Sequence, residues 1–255
     1  MKTIASLSVG AALLACACVP NGPPTSDAGT GATPTTTTPP RKTAKAPPPP
    51  RPDASLPPSP LLTTAFEDKF DRPALGPDWL PLTSSWEIRN GKLCGRGARN
   101  RGVWLHRTLP VNARIEFEAV SDSADGDLKA EFWGDGRSGA TGTSYTNATS
   151  YVTIFGGWKN SFHVLARIDE HAKDRLEVRL SSDAVEEREK PAVQGKAYSF
   201  KVERADGKTL SWWVDGVLIH ELQDPQPLSG AGHDHFGFND WEVPVCFDNV
   251  KVTPL

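Results

Sequence analysis

Between residues 63 and 255 the chain returns again and again to one pattern, apolar and polar residues alternating at every second position. Arg114-Ile115-Glu116-Phe117-Glu118-Ala119-Val120 is such a run, and 162–168, 198–204 and 247–252 are others. Successive side chains of a strand point to opposite faces, so a two-residue period predicts half-buried strands. Asn90-Gly91, Asp206-Gly207 and Asp215-Gly216 sit between such runs. These pairs tolerate the positive φ of tight hairpins, so each predicts two antiparallel neighbours. About a dozen strands can be counted this way, with one helical stretch near residues 183–190. Many short strands with frequent turn signals predict an all-β sandwich or barrel.

The first 62 residues follow other rules. Lys2 precedes an apolar run over residues 4–14. That is the layout of a secretory signal, and about 11 residues fall short of the ~20 needed for a spanning helix. The run ends in Leu13-Leu14-Ala15-Cys16, which resembles the bacterial lipobox. The resemblance implies cleavage after residue 15 and lipidation of Cys16, with Cys18 as the second choice and an ordinary secretory signal as the alternative. A lipidated cysteine can hold a protein on a membrane without a spanning segment. Neither Ala17 nor Val19 is the aspartate of the inner-membrane sorting rule, so the expected address is the outer membrane of a bacterial envelope. Residues 16–62 follow as a tether. Of the 23 prolines, 14 fall within 19–62, among Thr, Ala, Ser and Gly. Such a segment has too little apolar surface to offset its ordering entropy and is expected to be a disordered linker with polyproline-II patches.

Charge narrows the partners. Lys and Arg number 28 against 31 Asp and Glu, a formal net charge of −3. Five of the basic and two of the acidic residues precede residue 63, which leaves the folded part at −6. A nucleic-acid binder usually carries a basic face, so no nucleic-acid partner is expected.

Three segments give the folded part a family likeness. Tyr198-Ser-Phe-Lys-Val-Glu-Arg-Ala-Asp-Gly-Lys-Thr-Leu-Ser-Trp-Trp-Val-Asp-Gly216 resembles the hairpin pair of concanavalin A-like lectin and glucanase jelly rolls. Cys246-Phe-Asp-Asn-Val-Lys-Val252 is similar to their last strand, which returns beside a first strand at 65–70. Trp86-Glu-Ile-Arg-Asn-Gly-Lys-Leu93 is similar to a strand near their start. The resemblance covers nearly all of 63–255 and implies a two-sheet antiparallel jelly roll. It implies no activity, since the fold serves lectins, hydrolases and interaction modules alike.

Within that fold the strands of Cys94 and Cys246 would lie near one edge. An oxidising compartment allows a bridge between them; two buried thiols acting as small apolar residues is the alternative. Laminarinase-type members carry Glu-x-Asp-x-x-Glu on one strand, and that motif is missing from this sequence. Were the chain a glycoside hydrolase, Glu131, Asp169 and His171 are the residues expected to act as acid, base and modulator. Period-two reading puts Lys129, Glu131 and Trp133 on one face, with Ala130 and Phe132 inward. It likewise puts His163, Arg167, Asp169 and His171 opposite an inward Val164, Ala166 and Ile168. His235, Asn239 and Trp241 face away from Phe236 and Phe238.

Indoles stack on sugar rings while polar groups bind hydroxyls. The expected ligand site is therefore Glu131, Trp133, Trp158, His163, Arg167, Asp169, His235, Asn239 and Trp241, and the expected partner a polysaccharide or oligosaccharide. The plainer alternative is a solvated strand face, with the sandwich serving structural or protein contacts. Calcium is implied by the likeness at Asp248, with the Gly91 carbonyl as a donor; Asp248 pairing with a neighbouring lysine competes with it. Zinc at His233 and His235, joined by Asp169, Glu170 and His171, is the remaining metal reading.

Overall fold

A computed structural model describes residues 58–255. The signal segment, Cys16, Cys18 and the tether up to residue 57 lie outside the described residues. Fifteen strands follow in chain order among them. The first eight are β1 (Phe66–Asp68), β2 (Trp79–Pro81), β3 (Trp86–Arg89), β4 (Lys92–Gly95), β5 (Val103–Leu105), β6 (Ala113–Ser121), β7 (Leu128–Gly134) and β8 (Tyr151–Gly156). The others are β9 (Phe162–Arg167), β10 (Leu176–Arg179), β11 (Ala197–Arg204), β12 (Thr209–Val214), β13 (Val217–Gln223), β14 (His235–Asn239) and β15 (Val245–Pro254).

They form two antiparallel sheets. One runs β13-β12-β11-β6-β15-β4-β3 with β1 also on β15, and the other runs β10-β9-β8-β7-β14-β5-β2. The three turn pairs do what their chemistry predicts. Asn90-Gly91 joins β3 to β4, Asp206-Gly207 joins β11 to β12, and Asp215-Gly216 joins β12 to β13. Asn90, Gly91, Gly207, Asp215 and Gly216 all have positive φ. The last strand returns beside the first, with Phe66 opposite Val252. Cys94 and Cys246 face each other across β4 and β15 and are bonded, closing a loop of 152 residues. Residues 59–62, assigned to the tether by composition, belong to the sandwich: Thr108 N–H donates to the Pro60 carbonyl, Leu62 N–H to that of Thr108, and Leu62 is buried.

The expected helix near 183–190 is not formed. Only a 3-10 turn, Glu187–Glu189, stands there. All its residues are exposed or half-buried, so no apolar face exists to hold a longer helix against the sandwich.

The main core lies between the sheets. Phe117, Phe200 and Phe247 from one sheet share it with Phe132, Phe236 and Phe238 from the other, and the rings of Phe117 and Phe247 meet those of Phe236 and Phe238 with centroids 3.9–5.9 Å apart. A second apolar cluster lies on the outer face of the seven-stranded sheet, where Val152, Ile154, Val164 and Ala166 are covered by Ala140, Tyr145 and Ala148 from the 135–150 loop. The strands beneath that loop are thus buried on both faces, and two-sided burial erases alternation. This overturns the face assignment of the 162–168 strand. Val164 and Ala166 face outward under the loop, whereas Leu165 packs in the main core and His163 stacks on the core residue Phe155 at 3.9 Å.

Candidate functional site

The outer face of the seven-stranded sheet carries a polar network. Lys129, Glu131 and Asn239 alternate with the inward Ala130, Phe132 and Phe238. Glu131 is sealed, at 1% exposure. Its carboxylate accepts hydrogen bonds from Tyr145 Oη (3.0 and 2.9 Å), Ser150 Oγ (2.6 Å) and Asn239 Nδ2 (2.5 Å). Burial pushes its pKa up to about 7 against the pull of those donors. Glu131 and Asn239 therefore hold the covering loop down and present nothing to a ligand. Trp104 lies beside them, close enough to Gly237 that a Cβ there would come within 2.8 Å of the ring.

Beside the loop, whose residues 140–144 form part of the wall, the face opens into a groove. A cavity of about 380 Å³ has Trp158 and Trp241 on its walls, and a second of about 400 Å³ continues it past Trp241 and Thr143. Lys129 is the pivot of the floor. Its ammonium, 3% exposed, donates to Asn100 Oδ1 at 2.7 Å and pairs with Glu170 Oε2 at 2.9 Å. His171 Nε2 lies 3.3 Å from the other Glu170 oxygen. Burial alone would lower the Lys129 pKa; the charges of Asp127 and Glu170 outweigh it and hold the ammonium above its ordinary range. Asp127, which also lines the groove, is pushed up, first by burial and against the opposing charge of Lys129. Asp240, wholly buried and close enough to feel both, rises to about 7 because of burial.

The backbone that sets Trp158 is strained. Trp158, Lys159 and Asn160 form a left-handed turn with φ of 50°, 56° and 58°. Each such non-glycine residue costs roughly 1–2 kcal/mol. The turn persists because Asn160 is clamped: its amide donates to the Ala124 and Ala192 carbonyls and accepts from the Ala192 N–H. Strain held by over-determined contacts concentrates at functional sites. Each groove indole also carries a guanidinium, Arg175 at 4.4 Å from Trp158 and Arg99 at 5.9 Å from Trp241.

Of the expected ligand residues, Trp158 and Trp241 line this groove, and so does His171 from the expected catalytic set. The others are placed elsewhere. Trp133, expected on the polar face, points into the main core at 1% exposure. The reason is a bulge: His235 pairs with Gly134 while Phe236 pairs with Phe132, leaving Trp133 as the extra residue with φ 54°, and an extra residue reverses the side to which a side chain points. Its indole lies under the Arg204 guanidinium at 3.9 Å.

His163 is buried with Phe155, and burial drives its pKa down to about 3. Arg167 pairs with Asp224 at 2.8 Å at the sheet edge. Asp169 accepts the His171 N–H and caps a turn. His235 pairs with Asp234, and His233 contacts the Thr149 carbonyl, so the two do not share a metal-binding geometry. No group of three His, Cys, Asp or Glu side chains suited to a metal occurs among the described residues. Asp248, the expected calcium ligand, is ion-paired with Lys92, and the neighbour nearest to a Cβ on Gly91 would be the Asp71 carboxylate. An ammonium thus already answers the Asp248 charge. The sequence did not single out Asp127 or the Lys129 pairing, and it offered Glu170 only as a zinc ligand, whereas Glu170 is the ion-pair partner of Lys129.

No family model matches the sequence, and no curated protein matches it. Solved structures do match. The carbohydrate-binding module CBM66 from Bacillus subtilis aligns with a TM-score of 0.50 at 17% identity, over 68% of this chain and 94% of that one. A Bacillus licheniformis β-glucanase aligns at 0.51 and 12%, over 75% and 99%. The carbohydrate recognition domain of Emp47p aligns at 0.53 and 12%, over 77% and 97%. At these identities the likeness shows the fold, a concanavalin A-like jelly-roll sandwich.

Proposed function

We propose that the sandwich is a glycan-binding module that holds a sugar chain in the groove between Trp158 and Trp241, on a protein anchored to the bacterial envelope through lipid on Cys16. The observation that carries the reading is the pairing of two indoles with a polar floor that Lys129, Glu170 and Asp127 supply. Indoles cover the C–H faces of sugar rings, and fixed polar groups bind hydroxyls. The recognised fold neighbours include a carbohydrate-binding module and a carbohydrate recognition domain by name, which supports the same class of ligand. A hydrolase reading finds less support: of its expected carboxylates, Glu131 is sealed and Asp169 caps a turn.

The test is a glycan array followed by calorimetry on Trp158→Ala and Trp241→Ala, with reducing-end release followed in parallel. Loss of one stacked indole should weaken binding about tenfold, equivalent to ~1.4 kcal/mol. Affinity unchanged in both variants refutes the site; release of reducing ends refutes the non-catalytic reading.

A further inference from the structure

One buried cation outside the groove forms none of the ion pairs found among the described residues. Arg204, the last residue of β11, is 1% exposed. Its Nε donates to the Val111 carbonyl and its Nη1 to the Leu228 carbonyl, each at 2.7 Å. Nη2, buried as well, has no hydrogen-bond partner. The Tyr151 hydroxyl acts on this guanidinium, but it already donates to Asp224 and accepts the Leu228 N–H. Asp224 and Asp206 act on it only as more distant charges. Asp224 is taken by Arg167, and Asp206 by the N–H groups of Lys208 and Thr209. Two carbonyls and the Trp133 ring at 3.9 Å are what Arg204 has in place of an ion pair. A buried charge without a counter-charge is costly, and burial does pull the Arg204 pKa below its ordinary range.

The same residue walls a recess of about 230 Å³ that shares no lining residue with the groove. Leu61, Leu109, Pro110, Val111 and Trp133 make most of that wall apolar. Two further titratable side chains stand on it. His233 Nδ1 meets the Thr149 carbonyl at 2.6 Å, and Asp234 Oδ1 meets His235 Nδ1 at 2.7 Å. The wall thus offers one guanidinium with no ion pair and one carboxylate already engaged.

That count decides the ligand. A guanidinium is weakly hydrated and pairs well with a carboxylate or a phosphate. A phosphate would bring a second negative charge beside Asp234, and a mostly apolar wall has no cation to meet it. A carboxylate brings one charge. The aliphatic wall favours a hydrocarbon body, and about 230 Å³ is below the ~300–1,000 Å³ usual for ligand pockets, so that body is small.

We propose that this recess is a second binding site, taking a small aliphatic carboxylate whose charge answers Arg204 and whose hydrocarbon packs on Leu61, Leu109 and Val111. The shared chemistry belongs to a free branched acid or to the C-terminal residue of a peptide.

Calorimetry on the full-length protein in nonionic detergent tests it with four probes: isocaproate, its neutral amide isocaproamide, N-acetyl-leucine and inorganic phosphate. Both carboxylates should bind, the amide about tenfold more weakly, and phosphate more weakly than either carboxylate. Tighter binding of N-acetyl-leucine assigns the recess to a peptide terminus, and tighter binding of isocaproate to a free acid. Val111→Glu sets a like charge on the wall at a position 48% exposed, where the fold tolerates it, and should weaken both carboxylates about tenfold while the Tm holds. Arg204→Gln should abolish their binding in whatever fraction folds. An amide that binds as tightly as its acid, phosphate tighter than both carboxylates, or no binding of either carboxylate overturns the proposal. So does carboxylate affinity that survives Val111→Glu. Because the groove contributes nothing to this recess, these outcomes leave the glycan-binding reading where its own test puts it.

Discussion

Replacing Glu131 by Gln offers a test of how the sheet face is held. In the folded protein this carboxyl has a pKa of about 7 through burial, against an ordinary 4.5. A carboxyl whose folded pKa is raised favours the folded state when protonated. The stability it contributes is whole below pH 4.5 and is lost as pH climbs through 7. The displacement of about 2.5 units corresponds to roughly 3 kcal/mol at 1.36 kcal/mol per unit. The buried His163 works in the opposite sense. Its pKa falls to about 3, so acid removes stability below pH 6.5, and the two slopes overlap in the wild-type curve. Asp240, raised to about 7, adds a slope like that of Glu131.

The difference between wild type and Glu131→Gln cancels both other groups and leaves Glu131 alone. Gln keeps the shape and an oxygen to accept from Asn239, while its amide can donate to the Tyr145 or Ser150 hydroxyl. Urea unfolding at intervals from pH 4 to 8 should show the variant gaining on the wild type by about 3 kcal/mol across that range. For a domain of this size that is about 6–12 °C in Tm. A difference that does not change with pH would show that Glu131 is not held in a water-free network, and the sealed-face reasoning would be wrong.

Two further outcomes separate core from site and address from fold. Trp133→Ala removes an indole buried under Arg204 and should cost about 3–5 kcal/mol in denaturant unfolding, while glycan affinity of the folded fraction stays put; a selective loss of binding would return Trp133 to the groove. Cys16→Ser should abolish incorporation of labelled palmitate in a bacterial host and release the protein from the membrane fraction. Retained label there would place the lipid elsewhere, with Cys18 the next position to change.

The fold was legible because its signals are local. Asn-Gly and Asp-Gly fix hairpins through backbone φ, and the alternation in 114–120 survives because β6 is buried on one face only, each second residue half-exposed. The groove was half legible for a related reason. Trp241 and Trp158 lie in loops or turns flanking strands, where no parity rule assigns a face, and charged neighbours were the only cue. Where parity was applied it failed twice, each time for a tertiary cause. At Trp133 an unannounced extra residue in the register reversed the side chain. At 162–168 a distant loop laid Tyr145 and Ala148 over the outer face and made apolar residues correct on both sides. Glu170 was read only as a zinc ligand because a carboxylate's role depends on which neighbour reaches it, here a lysine 41 residues earlier.

The same covering loop explains why a face rich in polar groups is not all binding surface. A carboxylate stripe on an open sheet would be solvated and free to meet ligand. Once Tyr145 donates to Glu131 and Trp104 fills the space over Gly237, those groups are satisfied internally and their polarity is spent on holding the loop. What remains open is the groove beside the loop, which Thr143 and Ser144 of that loop help to wall and where Trp158 packs with one side on the second apolar cluster. The extent of the open groove is thus set by residues 135–150 as much as by the strands beneath them.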